Sequence, residues 1–229
     1  GSLPMPDLFA AYPDTAFTVN KIKELVDLKT FFNNDELLEY RDEFLDEGRF
    51  ISDDSLYILP IAKSTENIFI NKTSWDEFAS ENNLTNENLK TWEGITKVAK
   101  LYYEKTGNSF FGIDANANYM LQASMQLGQE IYKYNEDQSV DFNLSEETAR
   151  KIWENYYIPY IRGYFAKTGR FCSDDSKTGT VLSYVGSTAG ASYFPTEVTF
   201  SQDDIVSIDV LTLPYPYFED GKPFAMQQG

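Results

Sequence analysis

The chain of 229 residues contains no histidine and a single cysteine, Cys172. A serine-protease type triad needs an imidazole base, and zinc sites are built mainly from histidine and cysteine, so most hydrolase and metalloenzyme mechanisms are excluded. A lone cysteine also excludes a disulfide within the chain. The sequence therefore predicts no catalytic residue based on histidine or cysteine, no metal and no cofactor, and it gives Cys172 no chemical role.

Basic residues are scarce as well, with 19 lysines and arginines against 36 aspartates and glutamates and a net charge of −17. Nucleic acids and anionic membranes bind through clusters of basic side chains, so neither is expected as a partner. No run approaches the roughly 20 apolar residues that a membrane-spanning helix needs. The Gly-x-Gly-x-x-Gly and P-loop patterns are absent, so nucleotide binding through those phosphate cradles has no support.

The composition does provide 42% apolar and 16% aromatic residues, which is enough for a sizeable core. Strand-like runs alternate with helical periodicity, and this indicates an α/β architecture. The predicted strands cover residues 4–12, 110–113, 180–185 and 205–213. The predicted helices cover residues 34–48, 74–83, 91–107, 119–128, a long segment from 143 or 145 that Pro159 interrupts, and 191–194, with a loop over 171–179.

Three residue signals mark helix ends. Ser74 and Glu77 have the spacing of a capping box, which predicts a helix start at Ser74. Thr91 is the predicted N-cap of the next helix, and Gly107 is its predicted stop.

Polar clusters follow or precede several of the apolar runs. Residues 57–72 read YILPIAKSTENIFINK, in which Ser64, Thr65 and Glu66 lie between two strand-like segments. Ligands of α/β sheets bind beyond the carboxyl ends of the strands, so polar turns at these positions predict a binding crevice. The other turns of this kind contribute Asp114, Asn116, Asn118, Ser187 and Thr188.

Several of these segments resemble a known family when they are taken in order. The run LPIAKSTE at 59–66, followed by FINK at 69–72, is similar to the extracellular solute-binding proteins of ABC transporters, in the sugar-binding group that includes maltose-binding protein (family 1). Residues 6–9, 91–92, 180–186 and 222–229 also resemble family segments in the expected order.

The resemblance implies a periplasmic-binding-protein-like fold of type II, with two α/β lobes and a solute cleft between them. Residues 3–65 and 214–229 would form part of the first lobe, residues 73–205 a complete second lobe, and residues 66–72 and 206–213 the crossing strands. The family's N-terminal strand and helix and its C-terminal helical region would be missing. The resemblance further implies a monomer outside the cell or in the periplasm, lipid-anchored in its full-length form, that delivers its solute to the permease subunits.

The family's ligand positions are matched only in part. Asp14 and Ser64 occupy positions of ligand-binding acids, whereas Ala11 and Thr188 replace stacking aromatic residues. The resemblance thus implies a carbohydrate, either an oligosaccharide or a related polyol, although the losses disfavour maltodextrin. The expected binding residues are Tyr12, Asp14, Ser64, Thr65, Glu66, Asp114, Asn116, Asn118, Ser187, Thr188 and Tyr215.

Two alternatives stay open from the sequence. A carbohydrate-active hydrolase would use paired carboxylates, for which Glu66 and Asp114 are the candidates. A structural surface module would need no small-molecule pocket. A phosphorylated solute is less favoured, since Lys63 and Lys72 are the only basic groups predicted near the crevice.

Overall fold

The structure is a computed structural model that describes residues 6–49, 54–135, 137, 139–201 and 204–229. The chain divides into two units. The first contains the described residues up to Lys63 together with Gln228 and Gly229, and the second extends from Ser64 to Gln227. The second unit thus includes residues 214–227, which the sequence analysis assigns to the first lobe. The lobe boundaries themselves stay a prediction.

The first unit is built from short helices, α1 (Pro13–Ile22), α2 (Asn34–Leu37) and α3 (Asp42–Asp46). The prediction of one helix over residues 34–48 was wrong. Its apolar side chains do not share one buried face, since Leu45 is buried while Leu38 is 76% exposed. The predicted strand over 4–12 was also wrong for its described part, where residues 6–12 lead without regular structure into Pro13.

A four-stranded sheet lies at the centre of the second unit, in the order β2 (Ser109–Ile113), β5 (Val181–Ser187), β1 (Glu66–Asn71) and β8 (Val210–Pro214). β1 is antiparallel to both of its neighbours, and β2 is parallel to β5. The strands predicted at 110–113 and 180–185 are confirmed.

The single strand predicted over 205–213 is instead two strands, β7 (Asp204–Ser207) and β8. The break falls at Asp209, whose backbone N–H donates to Thr73 Oγ1 at 2.9 Å and whose carbonyl accepts from the Lys72 N–H at 2.8 Å. These bonds to Lys72 and Thr73, at the start of the helix that follows β1, replace the ladder bonds that a continuous strand would need.

The remaining elements of the second unit are mainly helices: α4 (Lys72–Glu81), α5 (Trp92–Thr106), α6 (Asn116–Gln126), α7 (Glu146–Ile152), α8 (Ile158–Ile161) and α9 (Cys172–Lys177), with 3-10 turns at Asn86–Leu89 and Thr188–Tyr193. Two hairpins complete it, β3 (Tyr132–Tyr134) with β4 (Val140–Phe142), and β6 (Glu197–Ser201) with β7.

Two helix-end predictions are confirmed. The Thr91 side chain accepts from the Gly94 N–H at 3.1 Å, and Gly107 ends α5 with a φ of 74°, which glycine adopts without steric cost. The predicted start at Ser74 was wrong. Asn71 is the N-cap of α4, and its side chain accepts from the Ser74 N–H at 3.1 Å.

The segment after residue 143 is interrupted near Pro159, as predicted. Ser145 caps α7, and a π-helical turn at Trp153–Tyr157 separates α7 from α8. The loop predicted over 171–179 contains α9 instead. Its Asp175 is buried and accepts from the Thr168 N–H at 3.1 Å, so its polarity reflects internal bonding rather than exposure.

The core lies on both faces of the sheet, as the alternation along β1 shows. Ile68 and Ile70 belong to the larger cluster, which is packed under α4, α5 and α6, whereas Phe69 belongs to a smaller cluster with Tyr184 and Phe194. A strand that is buried on both sides reads as a continuous apolar run, which explains the sequence IFI at 68–70.

Candidate functional site: a polar edge of the sheet

One edge of the central sheet collects most of the predicted binding residues. Since β1 is antiparallel to β5 and β8 while β2 is parallel to β5, β1 begins where the other three strands end. In the register Glu66 is paired with Ser187, Asn67 with Pro214, and Ile113 with Val185. We call this set of strand ends, with the turns that follow them, the polar edge.

Two threonines bind each other across the polar edge. The Thr65 N–H donates to Thr188 Oγ1 at 3.1 Å, and the Thr188 N–H donates to the Thr65 carbonyl at 2.7 Å. Thr65 Oγ1 also donates to the Met226 carbonyl at 3.0 Å. Both hydroxyls therefore have structural partners, and they extend the β1–β5 pairing by one residue.

Ser187 caps the 3-10 turn that follows β5. Its Oγ accepts from the Ala189 N–H at 3.2 Å, and the side chain is half-buried. Ser64, which is also half-buried, immediately precedes Thr65. At the end of the same turn Tyr193 is 67% exposed, whereas the next residue, Phe194, is buried. Tyr193 is therefore the more accessible of these two aromatic residues.

Glu66 is buried beneath the polar edge, with an exposure of 2%. One oxygen accepts from Asn118 Nδ2 at 3.0 Å and the other from Gln122 Nε2. Gln122 Oε1 in turn accepts from the Met226 N–H at 2.7 Å. The carboxylate thus joins β1 to α6, and its position does not support contact with a solute or with a glycosidic bond.

Asp114 follows β2 and is half-buried. Its Oδ1 accepts from the Cys172 N–H at 2.6 Å, and its carbonyl accepts from Lys167 Nζ at 2.5 Å. Gly186 lies against the other oxygen, because a Cβ there would be only 2.7 Å from Asp114 Oδ2. Asp114 is therefore held in one orientation at the polar edge.

Lys167 and Cys172 were missed by the sequence analysis. Cys172 is fully buried, and burial raises the pKa of its thiol, with a further increase from the Asp114 charge. Its backbone N–H positions Asp114, and the expectation that its thiol has no chemical role stays a prediction. No local signal marks either residue, since they follow Asp114 by 53 and 58 positions.

The remaining predicted residues differ in accessibility. Asn116 is exposed at the first residue of α6, close to Asp114 along the chain. Tyr215 is only 7% exposed, and its ring packs edge-on against Trp92 with centroids 5.5 Å apart. Burial raises the pKa of the Tyr215 phenol, and the Glu66 charge raises it further. Stacking of the Tyr215 ring on a sugar is not supported by this position.

Two predicted residues belong to the first unit. Tyr12 is the exposed N-cap residue of α1, and Asp14 lies in its first turn. Asp14 Oδ1 accepts from the Thr15 N–H at 2.7 Å and leaves its other oxygen without a bond in the described residues. A carboxylate near a helix N-terminus is stabilised by the helix dipole.

The chemistry of the polar edge is that of a hydrogen-bonding site. Amides, hydroxyls, one carboxylate and one ammonium group are present, and the part of the chain that the structure describes contains no cluster of acidic or cysteine side chains suited to a metal ion. Within the described ranges, no helix combines the length and apolar character that crossing a membrane requires. Such donors and acceptors suit a small polar molecule.

Solved structures share this fold. The chain is similar to UgpB from Mycobacterium tuberculosis in complex with glycerophosphocholine, at 20% identity and a TM-score of 0.67, over 93% of this chain and 53% of that one. An ABC substrate-binding protein from Listeria monocytogenes in complex with cycloalternan gives 14% identity and a TM-score of 0.70, over 91% and 52%.

A cyclic α-maltosyl-1,6-maltose binding protein from Arthrobacter globiformis gives 18% identity and a TM-score of 0.64, over 95% of this chain and 53% of that one. The chain thus spans about half the length of these proteins. No curated protein sequence matches it.

The family is shown independently by sequence. The model of the bacterial extracellular solute-binding proteins matches residues 1–229, which is the whole chain. The predicted family and the periplasmic-binding-protein-like α/β fold are therefore confirmed. This chain belongs to the bacterial extracellular solute-binding proteins.

Proposed function

We propose that this chain is the solute-binding part of an ABC importer that captures a carbohydrate, either an oligosaccharide or a related polyol, and passes it to the permease. The observation that carries the proposal is the polar edge, where Asp114, Asn116 and Ser187 lie at the strand ends of one sheet and Lys167 contacts Asp114. Sugar hydroxyls both donate and accept hydrogen bonds, and this mixture of groups offers both functions.

The protein acts without catalysis in this proposal. A glycosidase needs two carboxyl groups that reach the scissile bond. Glu66 is buried, and both of its oxygens accept from amide groups, which disfavours the alternative that pairs it with Asp114. Binding followed by closure of a two-lobed cleft needs no such pair.

The proposal includes the finer features that the family resemblance implies. The solute is held between two lobes with the boundaries given above, and Tyr12 and Asp14 contribute from the first. The protein works as a monomer outside the cell or in the periplasm, and a lipid anchor holds the full-length form at the membrane. Similarity to structures in complex with cycloalternan and glycerophosphocholine, and to a cyclic α-maltosyl-1,6-maltose binding protein, supports a small polar solute.

The test is a thermal-shift and calorimetric screen of the full-length protein against maltose, raffinose, cycloalternan and glycerophosphocholine. A solute that binds only the folded state raises the melting midpoint by mass action. We expect a saturable shift with at least one saccharide, and recovery of that saccharide unchanged. Absence of a shift with every saccharide, or release of a hydrolysis product, would contradict the proposal.

A matched pair of variants locates the site. Asn116 follows the end of β2 and Asn108 precedes its start, and both are exposed, so they lie at opposite ends of one strand. We expect Asn116→Ala to weaken binding of the identified saccharide about 5- to 10-fold, the usual effect of one neutral hydrogen bond. Asn108→Ala should bind as the unmodified protein does.

A further inference from the structure

We propose that Lys167 is a further solute-contacting residue, which forms with Asp114 a donor–acceptor pair for adjacent hydroxyl groups of a neutral saccharide. The inference rests on the proposed function and deepens it, since it names a residue and a solute class for the polar edge. The pair lies in the second unit, where both residues border the end of β2.

The backbone fixes Lys167 beside the strand end. Phe165 forms a β-bridge with Phe111, and the Ala166 N–H donates to the Phe111 carbonyl at 2.9 Å. The segment therefore runs along β2 and brings the next residue, Lys167, to Asp114. Lys167 Nζ donates to the Asp114 carbonyl at 2.5 Å.

Lys167 is half-buried, yet no carboxylate lies within ion-pair distance of it in the described part of the chain. The other described lysines without such a pair are all exposed: Lys21, Lys23, Lys105, Lys133 and Lys222. An ammonium group has three N–H donors, and only one of those on Lys167 has an acceptor in the described residues. Its other N–H groups are therefore available to donate to a solute hydroxyl.

Asp114 supplies the acceptor side of the pair. The Cys172 N–H fixes Oδ1. Oδ2 lies close to Gly186, where only a residue without a Cβ leaves room for it. A carboxylate has about four lone-pair sites, so the oxygens retain capacity for a solute hydroxyl. One hydroxyl that donates to Asp114 and a neighbouring one that accepts from Lys167 would satisfy both groups.

Both charges act on the same buried neighbour. Asp114 raises the pKa of the Cys172 thiol, whereas Lys167 lowers it, and burial is the largest cause of the net rise. This agrees with the geometry, in which Asp114 contacts both Cys172 and Lys167.

The charge balance favours a neutral solute over a phosphorylated one. Asp114 and Lys167 together carry no net charge, and the whole chain carries −17. A phosphodiester near Lys167 would also face the Asp114 carboxylate, and like charges at close range disfavour binding. A sugar hydroxyl has no such conflict.

The experiment is calorimetric titration of maltose, or of whichever saccharide gives the largest shift in the screen, into full-length protein and its Lys167→Met variant. Met retains the length of the apolar stem and removes the ammonium. We expect binding roughly 10- to 100-fold weaker, as for loss of a hydrogen bond from a charged donor. Lys105→Met removes an exposed, unpaired lysine at the end of α5 and should leave the affinity unchanged.

Monodeoxy analogues of the same saccharide identify the hydroxyl in contact. If the ammonium donates to one hydroxyl, the analogue lacking that hydroxyl should bind Lys167→Met and the unmodified protein with similar affinity, as a double-mutant cycle requires. Lys167→Gln, which retains an N–H donor, should bind the saccharide with intermediate affinity. It replaces Lys167→Met in the titration if Lys167→Met melts at a much lower temperature than the unmodified protein.

The outcomes separate the two proposals. Equal affinity of the unmodified protein, Lys167→Met and Lys167→Gln for the saccharide would overturn the role of Lys167 while the proposed function stands. Stronger binding of glycerophosphocholine than of any neutral saccharide would overturn the solute class. Failure of the unmodified protein to bind any saccharide would overturn both.

Discussion

Asn118 Nδ2 donates a hydrogen bond of 3.0 Å to the Glu66 carboxylate and so joins the first turn of α6 to the first residue of β1. Gln122, one turn further along α6, donates to the other oxygen. The two amides satisfy a carboxylate that is almost fully buried, which is the condition for such a group to be tolerated in a core. Glu66 is thus part of the framework that positions the polar edge.

This role predicts a loss of stability in Glu66→Gln. The new amide would present N–H groups where Asn118 and Gln122 already donate, which leaves at least one buried donor without an acceptor. We expect the free energy of unfolding to fall by about 1–3 kcal/mol, measured by urea denaturation.

Glu104→Gln is the matched control for Glu66→Gln. Glu104 lies on the exposed surface of α5, where its ion pair with Lys100 spans 3.7 Å. Exposed pairs of this kind contribute little, so the control should change the free energy of unfolding by less than about 0.5 kcal/mol. Equal effects of the two variants would show that Glu66 has no structural role.

The start of α4 gives a second prediction. Asn71 accepts from the Ser74 N–H, whereas the local sequence around Ser74 and Glu77 predicts a cap at Ser74. We expect Asn71→Ala to lower the free energy of unfolding by about 1 kcal/mol, the usual cost of removing an N-cap. Ser74→Ala should leave the free energy of unfolding unchanged or raise it by a few tenths of a kcal/mol, because alanine has a higher helix propensity than serine. Thermal unfolding of both variants compares them. A larger loss of unfolding free energy in Ser74→Ala than in Asn71→Ala would show that Ser74, and not Asn71, caps α4.

Some structural features that depend only on neighbouring residues were predicted correctly from the sequence. Thr91 and Gly107 bracket α5 because a capping hydroxyl and a left-handed glycine act within one turn of the helix end. The strand-end positions of Asp114, Ser187 and Thr188 were also predicted, since each cluster of polar residues directly follows an apolar run.

The contacts that distinguish solute-facing residues from structural ones are long-range. Glu66 is paired with amides 52 and 56 positions later in the chain. Tyr215 has an aromatic ring of the kind that stacks on sugars, but the ring packs into the core against Trp92. Neither burial is visible in a local pattern, because it depends on which helix covers which strand.

Alkaline pH should destabilise the protein through its buried tyrosines. Burial raises the phenol pKa of Tyr119, Tyr160, Tyr184 and Tyr215. The unfolded chain loses these protons near pH 10 while the folded chain retains them. The contribution of these tyrosines to the free energy of unfolding is therefore complete below about pH 10. Above pH 10 the free energy of unfolding falls by about 1.4 kcal/mol per pH unit for each such group.

Tyr215→Phe isolates one of these groups. The Tyr215 hydroxyl is buried and has no hydrogen-bond partner among the described residues, so its removal should change the stability at pH 7 only slightly. Urea denaturation above pH 10 should show a dependence of the unfolding free energy on pH that is smaller in the variant, by up to about 1.4 kcal/mol per pH unit. Identical slopes would mean that the phenol ionises equally in the folded and unfolded states.

Gly186 provides the test of how Asp114 is positioned. A Cβ at residue 186 would lie 2.7 Å from Asp114 Oδ2 and 2.9 Å from the Tyr184 ring. The ring is packed against Phe69 and Phe194, so it has little room to move. In Gly186→Ala we therefore expect the Asp114 carboxylate to be displaced, with a stability loss of about 1–3 kcal/mol.

Gly190→Ala is the control for Gly186→Ala, because a Cβ at residue 190 would meet no atom within 4 Å. The two glycines lie four residues apart, on either side of the start of the 3-10 turn, so they differ mainly in the space around them. Saccharide affinity, measured by calorimetry at a temperature where both variants are folded, should fall at least 10-fold in Gly186→Ala and stay unchanged in Gly190→Ala. If Gly186→Ala loses stability but retains full affinity, Asp114 holds the fold and does not contact the solute.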